Sequence, residues 1–301
     1  MTKVLITGGT GLVGEHLQKV FLAEGYKVVI LSRTNKKSEI ENLSYAHWNV
    51  PHQKIDVAAV CSADHIIHLA GTNIGEGRWT QKQKKSIVDS RVDTAAFIFK
   101  TLKENKHQVK TFISASGADC YGVKTTSLVH KESDDFGTDF LADVCQKWEK
   151  AAENFVELGI RTVYLRTGLV CATSGSALQK MATPIRMGFG SALGTGKQIM
   201  SLIHIEDLCN LYLHALKSDR VQGAYNAVSV NSTNLQVTKQ MASILHRPLF
   251  MPKVPAFVLN NLFGEMATIL LEGSAVDNTK IKSTGFSFKH QDLKTILENT
   301  I

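Results

Sequence analysis

The first thirty residues alternate regularly between apolar and polar segments. A short apolar run, Val4 to Ile6, precedes a glycine-rich segment, Thr7 to Gly14. Apolar side chains then recur at helical spacing over residues 15–24, and residues 27–31 form a second apolar run. This pattern predicts a strand, a glycine turn, a helix and a second strand.

The same alternation continues as far as the middle of the chain. Further strands are predicted at residues 45–50, 65–71, 109–114 and 161–165, and helices at residues 55–61, 80–102 and 140–158. Strands that alternate with helices at such intervals predict an α/β fold with a Rossmann-type, doubly wound parallel sheet.

The C-terminal part changes character, because helical periods interrupted by prolines dominate from about residue 231. We therefore expect a smaller, mostly helical substrate domain after the sheet. The predicted division assigns residues 1–170, with a return over about 201–230, to a dinucleotide-binding domain, and residues 171–200 and 231–301 to the substrate or cap region.

Composition narrows the function classes. The chain has 301 residues, 44% of them apolar and 20% charged, which suits a globular protein with a substantial core. No apolar run approaches about 18 residues, so no membrane partner is expected. The net charge of +7 is spread along the chain, so we expect no nucleic-acid partner. Five scattered cysteines without C-x-x-C pairs favour free thiols in a reducing cytoplasm. We predict no metal site.

The glycine turn has the physical logic of a dinucleotide site. Gly8 permits a tight turn, Gly11 allows the backbone to approach a pyrophosphate, and Gly14 lets the helix pack closely on the strand. The N–H groups and positive dipole end of the helix then face the anion. The predicted cofactor residues of this segment are Thr7, Gly8, Gly11, Leu12, Val13 and Gly14.

The end of the second strand favours NADP(H) as the cofactor. An acidic residue there binds the ribose hydroxyls of NAD, whereas a basic residue pairs with the 2′-phosphate of NADP. Ser32 and Arg33 occupy this place, and no acidic residue is present. The alternative is an ordinary solvated basic loop. We also expect the backbone of Leu69, Ala70 and Gly71 to pass beneath the cofactor, and His68 to be a core histidine.

These motifs, taken in order, resemble the extended short-chain dehydrogenase/reductases, and within them an atypical group of sugar-nucleotide epimerase-like proteins. The resemblance spans nearly the whole chain. It is carried by the segments Thr7–Gly14, Leu69–Gly71, Ser90–Arg91, Ser114–Ser116, Tyr121–Gly122, Trp148–Glu149, Leu165–Gly168 and Ile203–Leu208. It implies that Arg91 joins the cofactor residues, and that a homodimer forms through the long helices.

The catalytic residues of the family carry over poorly. Active members have a Ser-Tyr-Lys group, with Tyr and Lys in a Y-x-x-x-K pattern on one helix. Here those two positions fall at Leu141 and Cys145. The serine position falls at Ser116, with Gly117 as the rival alignment. A leucine cannot transfer a proton, so the usual chemistry is not available.

Other residues are candidates for that chemistry. Tyr121 and Asp119 follow the fifth strand near the expected nicotinamide, although packing explains Tyr121 equally well. We predict Ser116, Tyr121 and Asp119 as catalytic residues, and regard Cys145 as structural.

Two residues are predicted to contact the substrate. Arg186 lies in a glycine-rich, cationic segment that suits an anionic ligand, although a flexible surface hairpin is an equal alternative. His204 is the second, although its segment also fits the start of a helix.

Two functions remain open. The first is an NADP(H)-dependent oxidoreductase or epimerase-like enzyme acting on a small anionic or nucleotide-sugar-like substrate. The second is a non-catalytic NADP(H) sensor or interaction module, which fits the link to cell division that the resemblance implies for some relatives. The cofactor motifs support both, and the missing Tyr-Lys pair favours the second.

Overall fold

The computed structural model describes all 301 residues. The first third consists of short strands and helices in regular alternation. In order these are β1 (Lys3–Thr7), α1 (Leu12–Ala23), β2 (Lys27–Ser32), β3 (Leu43–Asn49), β4 (Lys54–Ile55), α2 (Val57–Cys61), β5 (His65–His68) and α3 (Gln81–Glu104).

The middle of the chain completes the large sheet and begins a smaller one. Its elements are β6 (Thr111–Gly117), β7 (Val129–His130), α4 (Phe140–Glu153), β8 (Arg161–Thr167), β9 (Leu169–Cys171), α5 (Ala177–Arg186), β10 (Ile199–His204), α6 (Ile205–Lys217) and β11 (Gly223–Ala227). The remainder comprises β12 (Val230–Thr233), α7 (Asn234–Ile244), α8 (Ala256–Phe263), α9 (Thr268–Leu271), β13 (Ala275–Val276), α10 (Thr279–Ser283) and α11 (Leu293–Glu298).

The large sheet has eight strands in the order β11-β8-β6-β5-β1-β2-β3-β4. Every pair is parallel except β3 with β4, which is antiparallel. The strand order reverses beside β1, so the carboxyl ends of β1 and β5 flank the topological switch point where such folds bind ligands. The predicted α/β fold with a parallel Rossmann-type sheet is confirmed.

Both faces of the large sheet are covered by helices. Alternate residues of each strand point to opposite faces, so both sets of side chains are buried. Val4 and Ile6 of β1 pack with α1 and α6 in one apolar cluster. Leu5 packs on the other face with Ile98 of α3. This two-sided burial explains why the strands read as continuous apolar runs in the sequence.

Residues 199–204 do not join the large sheet. Strand β10 pairs with β9 and β12 in a separate three-stranded sheet. The expected return of residues 201–230 to the dinucleotide-binding part is made by α6, which packs in the main core, and by β11, which extends the sheet at β8. The division into two domains stays a prediction.

Several predicted boundaries shift for local reasons. Ile55 pairs with Trp48 in β4, so the predicted helix at 55–61 begins at Val57, capped by the Asp56 side chain. Helix α4 ends at Glu153 and continues as a 3₁₀ turn. None of the helices combines the length and apolar composition that crossing a bilayer requires.

Candidate functional site

The glycine turn brings β1 and α1 so close together that side chains are excluded from it. A Cβ atom on Gly14 would lie 2.5 Å from the carbonyl oxygen of Gly8. Gly8 itself has φ +66°, and a Cβ there would lie 2.8 Å from the Leu69 carbonyl group. Gly11 is different, because its only neighbour would be the Gly8 oxygen at 3.4 Å. Fold packing therefore requires Gly8 and Gly14 but leaves open space at Gly11.

The N-terminus of α1 offers unused donors. Gly11 provides no side-chain cap, and the first backbone N–H of the helix that donates within the protein is that of Glu15, which bonds to the Gly11 oxygen. The N–H groups of Leu12 and Val13 are left without protein acceptors. Donors of this kind at the positive end of a helix suit a phosphate group.

Thr7 ties the turn to the neighbouring strand. Its Oγ1 accepts the N–H groups of Leu69 and Ala70, both at 3.1 Å, so its hydroxyl proton is free for Nδ1 of His68 at 2.8 Å. The predicted cofactor residue Thr7 thus positions the Leu69–Ala70 backbone. His68 is fully buried, and burial lowers its pKa to about 4, as suits a neutral core histidine.

Arg91 lies directly beside the same segment. A Cβ on Gly71 would be 2.8 Å from the guanidinium carbon of Arg91. One guanidinium nitrogen of Arg91 donates to the carbonyls of Thr72 and Ile87 at 3.1 and 2.9 Å, and the group stacks on Trp148 at 4.8 Å. Its buried Nε has no hydrogen-bond partner. The structure thus brings the turn, residues 69–71 and Arg91 together.

The end of β2 leaves a cation available. Ser32 is buried, and its hydroxyl donates to the Thr34 carbonyl at 2.8 Å. Arg33 is exposed and has neither a hydrogen bond nor an ion pair. The end of β2 lies beside the end of β1, because Leu31 pairs with Thr7.

The predicted catalytic serine belongs to a buried ionic network. Ser116 donates from Oγ to Oε1 of Glu149 at 2.7 Å. The Glu149 carboxylate also accepts two bonds from Arg166, both at 2.9 Å. Both ionic side chains are less than 10% exposed, at 9% for Glu149 and 5% for Arg166. The Ser116 proton is therefore committed to a structural partner.

Tyr121 is held by the same network. Its hydroxyl donates to Oδ1 of Asn226 at 2.7 Å and accepts from Arg166 at 2.9 Å, while its ring stacks on His130. Burial raises the pKa of Tyr121. This geometry favours packing over proton transfer for Tyr121, and its catalytic role stays a prediction.

Asp119 differs from Ser116 and Tyr121 in that its functional group is not engaged by the buried network. It lies in the 3₁₀ turn that follows β6, and its carboxylate makes no hydrogen bond. Partial burial and the neighbouring Asp139 carboxylate raise the pKa of Asp119 to about 6. A group with this pKa exchanges protons readily near neutral pH. Of the three predicted catalytic residues, Asp119 alone keeps its functional group free.

The positions of the missing Tyr-Lys pair are occupied by packing residues. Leu141 is buried in an apolar cluster with Trp79 and Met266. Cys145 contacts the end of β6 through the Gly117 carbonyl at 3.7 Å, and burial raises the pKa of its thiol to about 12. A thiol that keeps its proton is structural, as expected for Cys145.

The two predicted substrate residues make no hydrogen bond to the buried network around Glu149 and Arg166. Arg186 is exposed at the end of α5 and bonds to Gln179 at 3.1 Å. His204 ends β10 and caps α6, since its Nδ1 accepts the N–H of Glu206 at 3.2 Å. The alternative that its segment starts a helix is confirmed, and a substrate role for either residue stays a prediction.

His204, Glu206 and His290 form the one cluster with the ligand types and spacing of a metal site, with ligand atoms within 4.8 Å. However, the Lys289 ammonium already binds both oxygens of the Glu206 carboxylate, at 2.8 and 3.0 Å. A metal ion would have to displace this lysine, so we assign no ion to the cluster.

Sequence reasoning missed the partners in the buried network. Glu149 and Arg166 were noted only as parts of family motifs, and Asn226 was not noted. Glu149 lies on a buried helix face and Arg166 in an apolar strand. A charged residue at such a position needs an opposite partner, and this signal could have paired the two residues.

The residues at the switch point fit a dinucleotide. The open space at Gly11 and the unused N–H groups of α1 follow the end of β1, and the free Arg33 follows the end of the neighbouring β2. Arg91 of α3, with its unpartnered Nε, lies against Gly71, beyond the end of the neighbouring β5. These features have no packing or hydrogen-bonding role within the protein itself, so they are available to a ligand.

Comparison with known proteins agrees with this geometry. Residues 4–228 match the model of the NAD dependent epimerase/dehydratase family, and residues 254–300 match a domain of unknown function, DUF1731. The epimerase family protein YfhF of Bacillus subtilis is 33% identical over 303 residues, covering 99% of this chain and 97% of YfhF.

Solved structures show the same fold. The human epimerase family protein SDR39U1 (isoform 2), whose crystal structure contains NADPH, superposes with a TM-score of 0.86 at 28% identity, covering 99% of this chain and 98% of the human chain. A UDP-glucose 4-epimerase of Thermotoga maritima superposes with a TM-score of 0.78 at 16% identity, covering 99% and 97%, which shows the fold alone. The matched segments and the relatives confirm the resemblance to extended short-chain dehydrogenase/reductases, and the chain belongs to the NAD dependent epimerase/dehydratase family.

Proposed function

We propose that this protein binds NADP(H) at the carboxyl ends of β1, β2 and β5 and is an oxidoreductase or epimerase-like enzyme. The observation that most directly supports NADP(H) is Arg33, an exposed and unpaired cation at the end of β2, where this fold contacts the adenine ribose. The NADPH in the human SDR39U1 structure supports the same cofactor here. When bound, the nicotinamide supplies hydride transfer, which suits a substrate with an oxidisable hydroxyl or a reducible carbonyl.

The cofactor residues have separate roles in this proposal. The N–H groups of Leu12 and Val13 bind the pyrophosphate, which approaches over Gly11. Arg33 binds the 2′-phosphate, and Ser32 supports it by holding the backbone beside Arg33 through the bond from its hydroxyl to the Thr34 carbonyl. The backbone of residues 69–71, positioned by Thr7 and Gly8, lies beneath the dinucleotide, and Gly14 keeps α1 close to β1. Arg91 supports residues 69–71 and directs its free N–H groups toward the cofactor.

Asp119 takes the role of proton donor and acceptor. Its carboxylate is free and its pKa is about 6, whereas Ser116 and Tyr121 have committed their protons to Glu149 and Asn226. We propose that the buried network holds the end of β6 in place, so that Asp119 keeps a fixed position beside the substrate. A small anionic or nucleotide-sugar-like substrate, contacted by Arg186 and His204, suits the cationic chain. We also propose a cytoplasmic location and a homodimer through α3 and α4.

Replacing Arg33 by alanine tests the cofactor assignment. A charge-assisted hydrogen bond to phosphate contributes about 1.5–3 kcal/mol, so NADPH affinity should fall roughly 10- to 150-fold while NADH affinity changes little. Isothermal titration calorimetry with both cofactors measures this. Lys27→Ala removes the same charge at the other end of β2 and serves as the matched control. Equal losses for NADPH and NADH would overturn the assignment to the 2′-phosphate.

The titration of Asp119 gives a test that needs no substrate. The folded-state pKa of Asp119, about 6, lies above the ordinary value of an aspartate. The contribution of Asp119 to the free energy of unfolding is therefore complete below about pH 4 and is lost as the pH rises through 6. The wild type should therefore lose stability relative to Asp119→Asn between these values in urea unfolding. Asp292→Asn is the control with the opposite sign, because hydrogen bonds from the Thr295 backbone N–H and hydroxyl lower the pKa of Asp292. An Asp119 difference that does not vary with pH would contradict a raised pKa.

The second function is a cofactor-binding module without turnover. The packing of Leu141 and Cys145 where active relatives have Tyr and Lys favours it. A panel of anionic carbonyl compounds, assayed by NADPH absorbance, separates the two functions. Consumption that is lost in Asp119→Asn supports the enzyme, and tight NADPH binding with no consumption across the panel supports the module.

A further inference from the structure

Four large apolar side chains stand out from the C-terminal part of the molecule, where burial would be expected. Their exposed fractions are 67% for Met187, 61% for Phe189, 70% for Phe250 and 69% for Phe257. Contiguous exposed apolar groups of this size mark a contact surface.

Backbone contacts bring together the two segments that carry or adjoin these residues. The N–H of Gly194 donates to the Val254 carbonyl at 2.8 Å, and the N–H of Val254 donates to the Ala192 carbonyl at 3.0 Å. A Cβ on Gly190 would lie 2.8 Å from the Leu249 side chain. The segment that follows α5 therefore runs along the segment that precedes α8. We call Met187, Phe189, Phe250 and Phe257 the loop face.

The surroundings of the loop face have a single sign of charge. Residues 158–205 and 220–264 contain no Asp or Glu. Within residues 171–200 and 231–264, six cations are all exposed and none forms an ion pair; they are Lys180, Arg186, Lys197, Lys239, Arg247 and Lys253.

The acidic side chains of the adjoining elements form no ion pair with these six cations. Glu272 follows Leu271, which contacts the position of Gly194, and the Glu272 carboxylate accepts the N–H of Thr125 at 2.9 Å. Glu265, just after α8, pairs with Lys84 at 2.6 Å. Glu298 of α11, which packs on α7, lies 3.7 Å from Lys294. The six cations therefore have no acidic partner within the protein, and the five other than Arg186, which is proposed to contact the substrate, are available to an external anion.

We propose that the loop face docks on the surface of an anionic phospholipid bilayer. A second copy of this chain would bring two cationic surfaces together, which charge repulsion opposes. Projecting aromatic side chains with flanking cations instead match an interface whose headgroups are anionic and whose interior is apolar and deformable. Such peripheral docking needs no membrane-spanning helix, and it is independent of the proposed cofactor function.

Flotation with lipid vesicles tests this proposal on the full chain. The protein should bind vesicles of equimolar phosphatidylcholine and phosphatidylglycerol, and not vesicles of phosphatidylcholine alone. Each basic residue near an anionic surface contributes about fivefold in binding, so the pair Arg247→Gln and Lys253→Gln should weaken it roughly 25-fold. The pair Phe250→Ser and Phe257→Ser should weaken it at least about tenfold.

Matched controls separate the loop face from general charge and hydrophobicity. Lys100→Gln with Lys106→Gln changes the net charge equally, and Val156→Ser removes an apolar side chain exposed elsewhere. Both controls should bind as the wild type does. Absence of binding to anionic vesicles, or equal losses in controls and loop-face variants, would overturn the proposal. So would a dimer in sedimentation velocity that Phe250→Ser and Phe257→Ser abolish in a protein that binds no vesicles.

Discussion

Replacing Arg166 by leucine is expected to lower the free energy of unfolding by about 3–5 kcal/mol, because it leaves the Glu149 carboxylate buried without its counter-charge. Arg166 makes two bonds of 2.9 Å to that carboxylate and a third to the Tyr121 hydroxyl. Urea unfolding followed by circular dichroism measures the loss.

The double variant Arg166→Leu with Glu149→Leu distinguishes an unpaired charge from lost packing. Removing both charges should recover much of the stability, since apolar residues of similar volume often replace a buried ion pair without loss. If the single variant unfolds at the wild-type urea concentration, the pair does not have the structural role assigned to it.

Replacing Gly11 by alanine is expected to separate cofactor binding from folding. The new Cβ would meet only the Gly8 oxygen at 3.4 Å, and Gly11 has a negative φ of −91°. Stability should therefore change by no more than about 1 kcal/mol, the size of a helix-cap effect. A methyl group at this point would hold the pyrophosphate away from two N–H donors, which costs about 3 kcal/mol or more and at least about 100-fold in NADPH affinity.

Gly75→Ala is the matched control for this experiment. A Cβ on Gly75 would be in ordinary contact with the Asn73 side chain at 3.5 Å, and Gly75 is not among the proposed cofactor residues. Both its NADPH affinity and its unfolding should match the wild type. Normal NADPH binding by Gly11→Ala, measured by calorimetry, would show that the cofactor does not approach over this residue.

The sequence predicted the large sheet well because each of its strands carries its own signal. Strands buried on both faces read as apolar runs, and the intervening helices show helical spacing, as in β1, α1 and β2. The pairing of β10 with β9 and β12 could not be predicted from the sequence, because it depends on long-range packing and not on a local pattern. Ile55 was assigned to a helix because two residues of an edge strand leave almost no period to detect.

The residues of the candidate site also fall into those that local sequence patterns identify and those that depend on long-range contacts. The glycine turn and Arg33 could be found from spacing alone, because their roles depend on a few adjacent residues. The commitment of Ser116 and Tyr121 to Glu149, Arg166 and Asn226 joins five separate elements of the chain. Asp119 could be named from the sequence, but its raised pKa depends on Asp139 and on burial, which only the fold supplies.

The pairing of β8 with β11 has a consequence for synthesis on the ribosome. The outer edge of β8 ends at Thr167 and stays without its partner until residues 223–227 have been made. At roughly 5–20 residues per second, an unpaired strand edge persists for about 3–11 s in the growing chain. In the finished protein Arg161 donates to the carbonyls of Ala215 and Val221, at 2.9 and 2.7 Å, and so fixes the chain just before β11 against this edge. Chaperones that recognise unpaired strands would therefore engage this protein while residues 168–227 are being translated, before its last quarter is made.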